Sequence, residues 1–330
     1  MKLVNRPVRH QMKKFTSIEI CAGAGGQALG LESAGFDHLL CIEIDSWAAK
    51  TLSANRPTWV VHEGDLRSWV PQNSHVGIDL LAGGVPCPPF SLAGKQLGPN
   101  DERDLFPEVL RLARELNPRS LMIENVKGLL SSRFQDYRNE ILDQLRSMGY
   151  ECDWRVVTSA DYGVPQLRPR SVLVALKADI FPHFTWPKPL DSAKRVTVGE
   201  ALFPLMQEKG WLGAKAWAES ATDVAPTLVG GSKKHGGADL GPTRAKKSWL
   251  EKLGVDAKGI AEAAPEKDFS GNPRLTIPMV ARLQGFPGDW SFAGGKTAQY
   301  RQIGNAFPPP VAEAIGSAIR DALQAWDQLN

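Results

Sequence analysis

The feature that most narrows the fold is a strand that runs into a glycine-rich turn and then into a helix. Thr16–Cys21 (TSIEIC) alternates as a half-buried strand does, Cys21-Ala-Gly-Ala-Gly-Gly26 turns the chain, and Gln27–Ala34 reads as helix. The unit repeats. His38–Ile44 predicts a second strand ending in acids, Thr58–His62 a third running into Gly64-Asp65, and Val76–Ala82 and Ser120–Glu124 two buried ones. Between the last two, Leu105, Phe106, Val109, Leu110, Ala113 and Leu116 recur at helical spacing. Tyr137, Ile141, Leu142, Leu145 and Met148 do so again, ahead of strand candidates at Asp153–Thr158 and Ser171–Leu176. Such strand–helix–strand units cross over right-handed and build a parallel sheet with helices on both faces. The expected fold is α/β, a doubly wound Rossmann-like domain over residues 15–185.

After about Phe184 the rhythm stops. Residues 186–273 are rich in Gly, Pro, Lys and Trp without clear periodicity, which predicts a smaller irregular lobe over 186–297. The segment 298–330 turns helical again: Val311, Ile315, Ile319, Leu323 and Trp326 form one apolar stripe. It starts beside Pro308-Pro309-Pro310, where proline is tolerated in a first turn. Residues 1–14 form a basic arm (Lys2, Arg6, Arg9, Lys13, Lys14) with no apolar stretch behind it, so a secretory signal is not expected.

The 330 residues are 42% hydrophobic, enough for two lobes and a core, which excludes a disordered chain. No apolar run approaches the ~18 residues of a membrane helix. Cys21, Cys41, Cys87 and Cys152 lie far apart without metal-ligand spacing, so no metal and a reducing, cytoplasmic setting are expected. The net charge of +3 does not by itself announce a nucleic-acid partner. Locally, GGSKKHGGADLGPTRAKK from Gly230 to Lys247 sets five Lys/Arg against one Asp. That is either a solvated loop or a patch for an anionic partner.

Several residues carry chemistry. Gly23, Gly25 and Gly26 stand where backbone approaches a ligand closely, although many such turns serve packing. Glu43, seventeen residues beyond Gly26, ends the second strand where it can accept hydrogen bonds from ribose hydroxyls, and Asp65 ends the third similarly. A buried strand delivers Cys87 to the carboxyl edge of the sheet, and Pro86, Pro88 and Pro89 fix that loop and remove backbone donors, presenting the thiol as a nucleophile. Glu124 follows three apolar residues, as a helix cap or a buried functional carboxyl. If its strand neighbours that of Cys87, the two meet over one crevice and burial raises the carboxyl pKa. Arg168 and Arg170, two apart on a strand-like segment, point to one face; they could bind phosphate, hold Glu124 or form a surface ion pair.

Together these residues resemble the DNA (cytosine-5) methyltransferases of bacterial and phage type, over nearly the whole chain and in the family's order. The family's F-A-G-x-G-G appears as Cys21-Ala-Gly23-Ala-Gly25-Gly26, P-C-Q-x-F-S as Pro86-Cys87-Pro88-Pro89-Phe90-Ser91, and E-N-V as Glu124-Asn125-Val126. Q-x-R-x-R is Gln166 to Arg170; R-x-L-T and L-Q-G-F-P appear as Arg274-Leu-Thr276 and Leu283 to Pro287; G-N-x-x-P-P is Gly304-Asn305 to Pro309. Cys21 and Ile44 stand where aromatics often flank the adenine, Pro88 replaces a glutamine, and Ile277-Pro278-Met279 replaces an Arg-Glu pair.

The resemblance implies a Rossmann-like domain using S-adenosyl-L-methionine, with Gly23, Gly25, Gly26, Glu43, Asp65 and Asn305 lining the cofactor site. It implies that Cys87 adds to carbon-6 of a flipped cytosine and that Glu124 acts at ring nitrogen 3. Either Arg168 or Arg170 would contact the base or brace Glu124. The lobe at 186–297 would read a short sequence in double-stranded DNA, with Lys233, Lys234, Arg244, Lys246 and Lys247 on phosphates or base edges. A monomer and a partner restriction endonuclease acting on the same site would fit the family. Three rivals remain: an exocyclic-amine methyltransferase with its x-P-P-F loop, a tRNA cytosine-5 methyltransferase, and a catalytically silent DNA-binding homologue.

Overall fold

The computed structural model describes residues 15–86, 104–231 and 237–330. The basic arm at 1–14, Cys87, Lys233 and Lys234 lie outside the described residues. Seven strands form one sheet: β1 (Phe15–Ile20), β2 (Phe36–Glu43), β3 (Val61–Glu63), β4 (Leu80–Gly84), β5 (Ser120–Val126), β6 (Tyr150–Thr158) and β7 (Pro169–Lys177). Their order is β3-β2-β1-β4-β5-β7-β6. The first five pair in parallel, and the chain switches direction across the sheet between β1 and β4. Ligands of doubly wound sheets gather outside the carboxyl ends at such a switch.

Strand alternation explains the two buried faces. Ile18, Ile20, Leu81, Leu121 and Ile123 point to one side, against α3 (Phe106–Leu116) and α4 (Gln135–Ser147). Leu80, Ala82, Met122 and Val174 point to the other, against α1 (Gly26–Ser33) and the terminal helix. α2 (Ser46–Asn55) covers the β2 edge through Leu52, and Asp45 caps it by accepting from the amides of Trp47 and Ala48.

The sheet departs from the expected all-parallel form. β7 inserts between β5 and β6 and runs antiparallel to both. Residues 159–168 join β6 to β7 through a short turn with Gly163 left-handed, and a connection that short returns the chain beside itself. β4 starts at Leu80 rather than Val76, since Val76 is exposed and Gly77 turns the chain, its amide donating to the Leu116 carbonyl. β3 is reduced to three residues at the sheet edge, after an exposed Val60.

The second half is more helical than its composition suggests: α5 (Val198–Met206), α6 (Ala214–Ser220), α7 (Thr243–Leu253), α8 (Ile277–Leu283) and α9 (Lys296–Asn305). Val198, Leu202, Trp217, Trp249, Leu275, Leu283 and Tyr300 share one core that reaches Ala24 and Leu29 of the first half. α10 (Pro309–Asp327) then lies on α1. A β-carbon on Gly30 would stand 2.3 Å from the Pro309 carbonyl, and one on Gly316 2.7 Å from Leu31, so both positions must be small for the helices to touch. Arg119 bridges Asp79 and Asp327, tying the end of α10 to the sheet.

Candidate active site

Register brings Glu124 to the switch-side edge. On β5 it pairs with Gly84 of β4, three residues before Cys87, and with Val172 of β7. Gly84 leaves the carboxyl its space, because an added β-carbon would sit 3.1 Å from Oε2. Arg170 pairs with Val126, two positions along β5, and so reaches Glu124 diagonally across one face. Its Nε lies 2.7 Å from Glu124 Oε1, with both side chains largely buried. Burial pushes the Glu124 pKa up, and the nearby charges of Arg170 and Arg168 pull part of the way back.

The two arginines therefore differ. Arg168, fully buried just before β7, donates from Nη1 to the Leu228 carbonyl at 2.9 Å. Asn125, which the sequence offered merely as part of a motif, donates to the Val85 carbonyl at 3.3 Å. It thereby ties β5 to the residue that follows β4.

A second cluster surrounds the glycine turn. Both oxygens of Glu43 accept backbone hydrogen bonds at 2.7 Å, from Gly23 and Asp45. Its pKa is raised by burial first, against those hydrogen bonds. Gly23 is left-handed with open space where a side chain would point. Gly25 and Gly26 are crowded: added β-carbons would stand 2.7 Å from Leu52 and 2.2 Å from the Phe307 carbonyl. Asp65 accepts from the Arg67 amide at 3.0 Å. The thiol of Cys21, itself left-handed, is pushed up by burial and then by Glu43, Glu19 and Asp65, so three acids converge on this turn.

Glu19 was missed, hidden in the alternation of β1. It is fully buried, neither carboxyl oxygen has a hydrogen-bond partner, and burial raises its pKa. Asn305 ends α9, and the next residues, Ala306 and Phe307, pack directly on Gly26. Its Nδ2 donates to the Gly231 carbonyl at 3.2 Å.

The basic segment divides. Arg244 is exposed on α7, Lys246 is engaged by Asp239 at 2.6 Å, and Lys247 stays exposed in a loose pair with Glu251 at 3.7 Å. Among the described residues no His, Cys, Asp or Glu group is arranged to hold a metal, and no helix is long and apolar enough to cross a membrane.

Comparison with known proteins agrees with this geometry. The chain is 58% identical over 317 residues to the type II methyltransferase M.NaeI of Lentzea aerocolonigenes, covering 94% of this chain and 76% of that one. It is 55% identical over 314 residues to the type II methyltransferase M.NgoMIV of Neisseria gonorrhoeae, covering 94% and 99%. The fold matches the Entamoeba histolytica methyltransferase EhMeth with a TM-score of 0.65 at 17% identity, over 94% of this chain and 99% of that one. The profile of the C-5 cytosine-specific DNA methylases matches residues 15–321, and the chain belongs to that family.

Proposed function

We propose that this DNA cytosine-5 methyltransferase takes its methyl group from S-adenosyl-L-methionine and acts through a covalent Cys87 adduct on a cytosine flipped out of duplex DNA. The observation that carries this reading is the buried Glu124–Arg170 pair beside Gly84, three residues before Cys87 in the sequence.

The residues around the glycine turn suit the cofactor. Glu43 keeps acceptor capacity for a ribose diol after its two backbone bonds, and Gly23 leaves an open approach. Asp65 adds negative potential suited to a cationic ligand. Asn305 would close the edge, while Gly25 and Gly26 shape the turn by packing. When bound, S-adenosyl-L-methionine supplies an electrophilic methyl group.

The chain's own residues do the rest. The Cys87 thiolate adds to carbon-6, opening the 5,6 double bond and placing electron density on carbon-5. Glu124, whose pKa burial raises against the pull of Arg170, donates to ring nitrogen 3 in its protonated form and stabilises the charge that develops. Arg170 holds that carboxyl in register. After carbon-5 is methylated, its proton leaves to a base, the double bond re-forms and Cys87 is expelled. A duplex hides carbon-6 within the stack, so the base must turn out.

Residues 186–297 would form the recognition lobe. Lys233, Lys234, Arg244, Lys246 and Lys247 would meet phosphates or base edges. A restriction endonuclease cutting the same site, a monomeric state and a cytoplasmic location complete the reading. The test is modification-resolved sequencing of DNA from a methylation-free host expressing the chain or Cys87→Ser. Methyl groups on carbon-5 in one short context, absent with the variant, support the reading; methyl groups on an exocyclic amine refute it.

A further inference from the structure

We propose that Gln166 and Gln284 are positioning residues for methyl transfer, forming a buried chain of amides that fixes the cofactor edge at Asn305 against the Glu124–Arg170 pair. This rests on the cofactor site read above. Both glutamines are fully buried. Gln166 Oε1 accepts from the Leu228 amide at 2.8 Å, and its Nε2 donates to Gln284 Oε1 at 2.7 Å and to the Leu283 carbonyl at 3.1 Å. Gln284 Nε2 donates to the Ala306 carbonyl.

The chain has informative ends. Ala306 follows Asn305 and packs on Gly26 of the cofactor turn. Gln166 stands two residues before Arg168, which grips the carbonyl of the same Leu228 whose amide Gln166 holds. From Leu228 the backbone passes to Gly230, which lies so close to Gly304 that a β-carbon there would stand 2.5 Å from the Gly230 nitrogen, and Gly231 receives Asn305. The hydrogen bonds thus close a ring through the segment before β7, α8, the end of α9 and the segment entering the basic loop.

Two buried primary amides gain little stability over apolar side chains of the same shape, since their bonds replace bonds to water. What they gain is direction. Each amide's donor and acceptor are both used, so neither can shift without unpairing its neighbour. Methyl transfer is sensitive to that spacing: a displacement near 1 Å can lower turnover about 100-fold.

The experiment compares the whole chain with Gln166→Met, Gln284→Met and the double variant in steady-state methylation of a duplex. Competent sites are counted by trapping on a 5-fluorocytosine duplex. The expected result is a loss of about 10–100-fold in kcat per trapped site for each single variant, with KM for cofactor and DNA within about 3-fold. The double variant loses no more than the worse single, because the chain acts as one unit. Gln284→Glu keeps the volume and regains the donor when protonated, so its kcat climbs toward the parent's as pH falls; it also serves if the Met variants do not fold. Unchanged turnover per site, with merely fewer sites, overturns the proposal, as do multiplicative losses in the double variant. A parent that methylates without trapping removes the Cys87 adduct instead, and kcat per folded protein then decides the glutamines.

Discussion

Arg170 Nε and Glu124 Oε1 lie 2.7 Å apart at the edge where β4, β5 and β7 meet, and burial and ion pairing act on this carboxyl in opposite directions. Arg170→Ala removes the larger opposing charge. Breaking one partner of a buried pair costs about 3–5 kcal/mol, and the lower end is expected here because Glu124 can take up a proton. Denaturant titration measures that loss, and kcat should fall about 100-fold or more with it. Arg170→Lys should restore stability better than activity, since an ammonium does not reproduce the guanidinium's fixed geometry.

The same balance sets a pH dependence. Glu124 is raised above the ordinary glutamate value near 4.5, so its protonated form persists to higher pH and is lost as pH rises through the folded value. An alkaline limb in kcat/KM follows, and Arg170→Lys or Arg170→Ala, by weakening the counter-charge, moves it upward. A limb unmoved by Arg170 substitution and retained in Glu124→Gln would assign it to another group.

Glu19 yields a stability prediction of definite sign. Its folded pKa is raised, so the folded chain holds a proton that the unfolded chain releases near pH 4.5. Stability from this group is full below that pH and is lost as pH rises through the folded value. Glu19→Gln should therefore gain melting temperature relative to the parent as pH rises from 4 to 8.

The glycines separate function from packing. Gly26→Ala drives a β-carbon to 2.2 Å from the Phe307 carbonyl and should cost about 1–3 kcal/mol in chemical denaturation. Gly23→Ala meets open space and bears only the left-handed penalty of about 1–2 kcal/mol. Its main effect should be a rise in KM for the cofactor.

Salt dependence sorts the basic residues. Arg244→Ala should weaken DNA binding across sequences and lower the salt slope by about one. Lys246→Ala should lower it less, because Asp239 already holds that ammonium at 2.6 Å. Fluorescence anisotropy over a salt series reads both.

The first-half fold was legible because each strand–helix unit spans enough residues for periodicity to register. Periodicity carries no direction, which is why the reversed β7 was not visible. Helices α5 to α9 are 7 to 11 residues long, α5 carrying Pro204 inside it, too few turns to show a stripe as the longer α10 does. At the site, the sequence left the neighbouring of the Glu124 strand and the strand leading to Cys87 as a condition, and the β4–β5 pairing meets it. Which arginine braces Glu124 was not legible, because the two stand two residues apart and only the pairing of β7 with β5 sets Arg170 beside Glu124 while Arg168, ahead of the strand, reaches the Leu228 carbonyl. Glu19 looked like any outward position of an alternating strand, and only the packing around it makes it a buried acid.

The most direct test of the mechanism uses a duplex carrying 5-fluorocytosine at the methylated position. Fluorine cannot leave carbon-5 as a proton does, so after methyl transfer the enzyme should remain bonded to DNA. With S-adenosyl-L-methionine present, the expected result is a denaturation-resistant complex whose digested peptide carries the nucleotide on Cys87, with no complex for Cys87→Ser. Methylation of ordinary DNA with no trapped complex, or a bond mapped to another residue, would contradict it.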